Sequence, residues 1–143
     1  MFKKILVVFT TTTHTEHTYE ATFEIAKKFD SEITFAKFII KPAPKFGFFE
    51  TGGEKKQHQK ELDEAQESLA RLEEKAKKEN LSVTSKVVST ESFAEDLISF
   101  IESNKVDLVI VDSHSLDEAE EIEHKDLIHK IFKNTSSPIL TLK

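Results

Sequence analysis

Cysteine is missing from all 143 residues, which removes disulfides, thiol redox chemistry and thiolate metal sites together. Long apolar runs are missing too. The longest stretch near the start, Ile5–Phe9 in MFKKILVVFTTTT, spans about five residues. A signal peptide needs roughly 7–15 apolar residues, and a membrane span needs about 20. Clusters of Lys and Arg are absent as well. Net charge is −6, with acids spread over several segments, which argues against binding a nucleic-acid backbone. Nor is there a G-x-S-x-G elbow, a Walker loop or an H-E-x-x-H helix, so the common signatures of hydrolases, NTPases and zinc proteases are not met. The expectation is one cytoplasmic domain spanning 1–143, with no membrane and no nucleic-acid partner. Twelve phenylalanines and 38% hydrophobic residues suffice for a core.

The stretch Val106–Ser115, VDLVIVDSHS, organises the rest. Apart from Asp107, its first six residues are Val, Leu or Ile. Such a run reads as a strand buried on both faces, and hence as part of a parallel sheet covered by helices. It stops in a polar cluster, Asp112-Ser113-His114-Ser115, and ligands of open α/β sheets sit where strands release such residues. Ile5–Phe9 is a second apolar strand, ending in Thr10–Thr13. Thr13 and Glu16 have capping-box spacing, opening a helix with Ala21, Ile25, Ala26 and Phe29 on one face. Ile33–Ile40 is strand-like. Residues 41–57 hold all three glycines, two of the three prolines and Phe46, Phe48 and Phe49, and read as a long loop. Its aromatics form either a lid or a patch tucked against the body. From His58 to Lys78 the spacing of Leu62, Ala65, Leu69, Leu72 and Ala76 predicts a helix, with Asn80 as its stop. Val83–Ser89 alternates like an edge strand. Ser92 and Glu95 suggest a second capping box before Phe93, Leu97, Ile98 and Ile101. Leu127, Ile128, Ile131 and Phe132 mark a last apolar helix face, and Pro138–Leu142 a final short strand. The order β-α-β-α-β-α-β-α-β requires right-handed parallel crossovers in a three-layer, doubly wound α/β sheet.

These segments together resemble the universal stress protein family over essentially the full length. KKILVV, Ile25-Ala26-Lys27 and Ser31-Glu32-Ile33-Thr34 are similar to the family's first strand, helix and second strand. VDLVIVDSHS resembles its fourth strand, and SPILTLK its last. The resemblance implies the adenine nucleotide alpha hydrolase-like fold, with five parallel strands in order 3-2-1-4-5. It also implies a nucleotide site at Thr10, Thr11, Ile39, Val111, Asp112, His114, Ser115, Lys125 and Asp126. ATP-binding members carry Gly-x2-Gly-x9-Gly-[ST] after the fourth strand and an Asp ending the first. Here Asp112 and Ser115 replace the first two glycines, Lys125 and Asp126 stand at the third glycine and the Ser/Thr, and Thr10 replaces the Asp. Glycine serves such a loop because backbone N–H groups must approach phosphate without a Cβ in the way. No glycine follows Gly53. Asp117, Glu118, Glu120, Glu121 and Glu123 add negative charge that repels phosphate.

The expected function is therefore a non-enzymatic, universal stress protein-like role in stress response or signalling. It would act through dimerisation and a protein partner, without tight ATP binding and with no cofactor required. The resemblance implies a homodimer through Pro138–Lys143, and a short apolar edge strand would suit one; a monomer shielded by Lys143 is the other outcome. One alternative is a nucleotide switch, binding ATP or AMP with Mg2+ and hydrolysing it weakly. Another is a divalent-metal module built from His14, His17 and His114; the same histidines also suit ordinary polar strand ends. His58, His124 and His129 fall on charged helical stretches and read as surface residues.

Overall fold

The computed structural model describes residues 1–9, 16–41, 52–112 and 116–142. The threonine run, the Thr13 cap, the three loop phenylalanines and Lys143 lie outside them. The described chain runs β1 (Lys4–Phe9), α1 (Glu16–Phe29), β2 (Glu32–Ile40), α2 (Gly52–Lys78), β3 (Ser82–Thr90), α3 (Phe93–Ser103), β4 (Leu108–Asp112), α4 (Glu118–Asn134) and β5 (Ile139–Leu142). The strands form one parallel sheet in the order β3-β2-β1-β4-β5, which is the order the resemblance implies.

The two apolar runs are explained by burial on both faces. Ile5, Val7 and Phe9 of β1 join Ile33, Phe35, Leu108 and Ile110 under α1 and α2. The alternate residues Leu6 and Val8 join Ala36, Phe38, Val109 and Val111 under α3 and α4. A strand with helices on both sides has no face to spare for polar residues. The twofold side-chain period then divides each run between the two layers.

Glycine scarcity leaves a mark at the helix ends. α1, α2 and α3 each finish on a residue in the left-handed region: Asp30, Asn80 and Lys105, at φ 54°, 60° and 53°. In each case the following amide closes back by five residues: Ser31 N–H to the Ala26 carbonyl, Leu81 to Ala76, and Val106 to Ile101. This is the Schellman arrangement that glycine usually fills. Asn80 thus stops its helix as its sequence position suggests.

Four expectations are corrected. α2 begins at Gly52, inside the stretch expected to be loop. Gly52 and Gly53 occupy the first turn, where few backbone hydrogen bonds are yet at stake, and EKKQHQ behind them favours helix. On α1 Ala26 is buried as expected, but its fully buried companions are Thr18, Thr22 and Phe23, while Ala21, Ile25 and Phe29 are half-buried. Thr22 Oγ1 donates to the Thr18 carbonyl at 2.8 Å, so its hydroxyl is satisfied and its methyl can pack. On α4 the buried residues are His124, Leu127 and Ile131, whereas Phe132 is 75% exposed. At α3 the Ser92 side chain makes no cap. Instead the Ser92 amide donates to Thr90 Oγ1 at 3.0 Å, and that hydroxyl donates to the Asp96 carboxylate. The last residue of β3 therefore takes the Ser92 amide that the Glu95 side chain would accept in a capping box.

Candidate functional site

Strand order reverses at β1, which has β2 on one side and β4 on the other. The connections leave its C-terminal end in opposite directions, opening the crevice where open α/β sheets receive ligands. Val8 pairs with Val111 across this end. Val111 and Ile39 are buried, and so is Asp112, the last residue of β4. Thr10, Thr11, His114 and Ser115 lie outside the described residues, as does His14. His17 is described and exposed, in the first turn of α1. Among the described residues no group of three His, Asp or Glu side chains could hold a metal ion.

The start of α4 shapes the phosphate side of this crevice. Asp117 caps the helix: its Oδ1 accepts the Glu120 amide at 2.8 Å, and Glu120 Oε2 accepts the Asp117 amide at 3.2 Å. Glu118, Glu120 and Glu121 fill the first turn. Amides that would otherwise offer themselves to an anion are thus engaged or screened by carboxylates. Lys125 and Asp126, matched by motif spacing to the third glycine and the Ser/Thr, fall about two turns inside α4. Backbone N–H groups that deep are spent on the helix itself. Lys125 pairs with Glu121 at 3.1 Å, and Asp126 with Lys130 at 2.9 Å. The two diverge. Lys125 borders a surface depression with Phe132, Pro138 and Ile139, whereas Asp126 borders a cavity between α3 and α4.

That cavity, about 450 Å³, lies at the C-terminal edge of the sheet and reaches His124 and Phe38. His124 is buried at 8% exposure, which corrects its expected surface position; His58 is half-buried, its Nε2 2.9 Å from Ser89 Oγ. Burial holds the His124 pKa below the ordinary 6.5, while the charges of Asp112 and Glu121 pull it partly back up. The spacing of His124 from Leu127 and Ile131 was a sufficient signal, since the three share one helical face. A second polar group missed in the sequence is Lys37. It sits within β2, 7% exposed, where burial lowers its pKa and Glu61 opposes the shift.

The His124 shift fixes a pH dependence. Folded His124 takes up a proton less readily than an unfolded imidazole. As pH falls below 6.5 the unfolded chain therefore binds more protons, and stability falls until the folded pKa is also passed. His124→Gln should flatten this acid-side loss, read as urea midpoints on either side of the transition. Identical pH profiles for the two proteins would refute the assignment.

A parallel sheet in the order β3-β2-β1-β4-β5, with helices on both faces and strand order reversing at β1, defines a three-layer, doubly wound α/β protein. The universal stress protein family model matches residues 1–143, and the chain belongs to that family. No curated protein matches the sequence. Among solved structures, the universal stress protein UspA from Lactobacillus plantarum superposes with a TM-score of 0.78 at 8% identity, covering 99% of this chain and 98% of that one. The universal stress protein of Archaeoglobus fulgidus in complex with dAMP gives 0.65 at 13% identity, covering 100% of both chains. A family protein from Arabidopsis thaliana with AMP bound gives 0.58 at 12% identity, covering 99% of this chain and 91% of that one. At these identities the likeness establishes the fold. Among the described residues no helix is long and apolar enough to cross a membrane.

Proposed function

We propose that this chain belongs to the part of the family without a glycine-rich phosphate loop, and serves stress response or signalling by binding rather than catalysis. The observation that carries this is the start of α4. Its N-terminus is closed by the Asp117–Glu120 capping box and lined by acids. The positions matched to the last glycine and hydroxyl of the motif stand inside the helix. A triphosphate placed there would meet carboxylates in place of open amides, at a Coulombic cost that grows with each phosphate. The test is the 31P spectrum of ATP in the presence of the protein. The lines should stay narrow and unshifted through equimolar protein; broadening that saturates would overturn the reading.

A second reading, the nucleotide switch, is favoured by the relatives that hold dAMP and AMP. A monophosphate needs less of a phosphate cradle than ATP does. Saturable binding of AMP without binding of ATP would support a nucleoside-recognising site in the same crevice.

Pairing through the last strand completes the proposal. Among the described residues β5 has a strand neighbour on one side only, β4, and an edge of that kind presents unpaired backbone groups to another chain. The exposed Phe132 lies near Ile139, around the same surface depression, giving apolar area that a second copy would cover. Sedimentation velocity should show a dimer; a monomer throughout the micromolar range would remove this part of the proposal.

A further inference from the structure

We infer, on the β5 pairing proposed above, that acid separates the two copies, with His129 as the group that takes up the proton. α4 turns one flank toward the β5 edge. There Lys125, His129 and Phe132 border a depression whose far side is Pro138, Ile139 and Thr141. His129 is exposed in the single chain. Antiparallel pairing of β5 with its twin sets the twofold axis perpendicular to the sheet. Both α4 helices then lie on the same face, and their flanks meet across the axis. The two depressions join into one, and each copy brings a His129 to it.

Charge decides the sign. On its own helix His129 has Lys125 and Lys133 one turn to either side, and Asp126 a turn before. Glu121 holds Lys125 at 3.1 Å and Lys130 holds Asp126 at 2.9 Å, so both nearby acids are already engaged. Across the depression, Thr135, Ser136, Ser137 and the β5 residues bring no charge, and no described residue of α3 borders it. Among the described residues the lining thus holds lysine and histidine and no carboxylate. Histidine changes its charge between about pH 5 and 8. Two imidazoliums gathered between lysines repel, so the dimer takes up protons less readily than its separated copies, and falling pH favours separation. The overall charge works the other way. Each copy carries −6 at pH 7, and repulsion between two such copies eases with acid. Weakening at acid pH is therefore the mark of the local effect.

The test is sedimentation velocity of the full chain at about pH 7.5 and about pH 6, with circular dichroism checking that the fold is the same at both. The dimer dissociation constant should rise at least about tenfold at the lower pH. His129→Gln should remove the rise. His129→Lys, which fixes the charge, should give the weakened constant at both values. A dimer equally strong or stronger at the lower pH would overturn the inference and leave the pairing standing. So would acid weakening that survives His129→Gln, since that variant keeps His124. A monomer at both values would remove the pairing itself, and the inference with it.

Discussion

Replacing Phe35 by alanine is expected to lower the free energy of unfolding by about 3–5 kcal/mol, the largest effect of any single substitution considered. Phe35 is completely buried in β2, on the strand that β1 and β3 flank. Its ring stacks on Phe9 with centroids 5.9 Å apart and meets Phe23 of α1 edge-on at 6.4 Å. Truncation therefore opens a cavity where strand, neighbouring strand and helix converge, and neither side can collapse without breaking sheet register. For a domain whose total stability is about 5–15 kcal/mol, the loss is a large fraction. The chain has no tryptophan and one tyrosine, so far-ultraviolet circular dichroism in urea is the suitable probe. Ile122→Ala, at a position 67% exposed, serves as the control and should change stability by less than about 0.5 kcal/mol. Equal effects from the two substitutions would contradict the layered core.

The second large effect is expected from Asp107, the one acid inside the apolar run that ends in β4. Its two carboxylate oxygens accept the amides of Lys3 and Lys4, each at 2.9 Å. Its own amide donates to the Lys4 carbonyl at 3.0 Å. The residue thereby clips the entrance of β1 to the entrance of β4, the strand pair on which the crevice depends. Asp107→Ala removes two charge-assisted hydrogen bonds and should cost about 2 kcal/mol, softened because water reaches the amides it leaves. Asp107→Asn keeps one acceptor and turns a donor toward the other amide, so it should fall between alanine and the native residue. Hydrogen exchange at Lys3 and Lys4 should quicken with the same ranking. An alanine variant as stable as the native protein would show that the clip contributes nothing.

Much of the architecture was legible because burial on both faces leaves a simple trace. VDLVIV and ILVVF can lie only inside a parallel sheet, and the alternation of strands and helices then restricts the topology to a few forms. The helix faces were less legible where polar residues do apolar work. Thr18 and Thr22 are buried because a hydroxyl can be satisfied by a carbonyl one turn back, and His124 because an imidazole packs as readily as it solvates. Phe132 misled in the opposite direction: its spacing fits the inner face of α4, yet the ring lies outside. The phosphate side was hardest to place, because motif spacing counts residues but does not locate a helix start. Asp117 and Glu120 carried that information as a capping box, and it sets α4 going well before Lys125. Ser92 and Glu95 have the same spacing and form no box, because Thr90 reaches the α3 terminus first. Such spacing therefore shows that a cap can form there, while competition with neighbouring side chains decides whether it does.

Calorimetric titration of the metal-stripped protein with ATP, with and without Mg2+, tests the central claim most directly. An α4 that opens on Asp117, Glu118 and Glu120 predicts no saturable heat up to about millimolar ATP in either condition, equivalent to a binding free energy weaker than about −4 kcal/mol. Saturable micromolar binding would contradict the account, because it would require amides or a bridging cation to hold a triphosphate where the chain places a capped, acidic helix end.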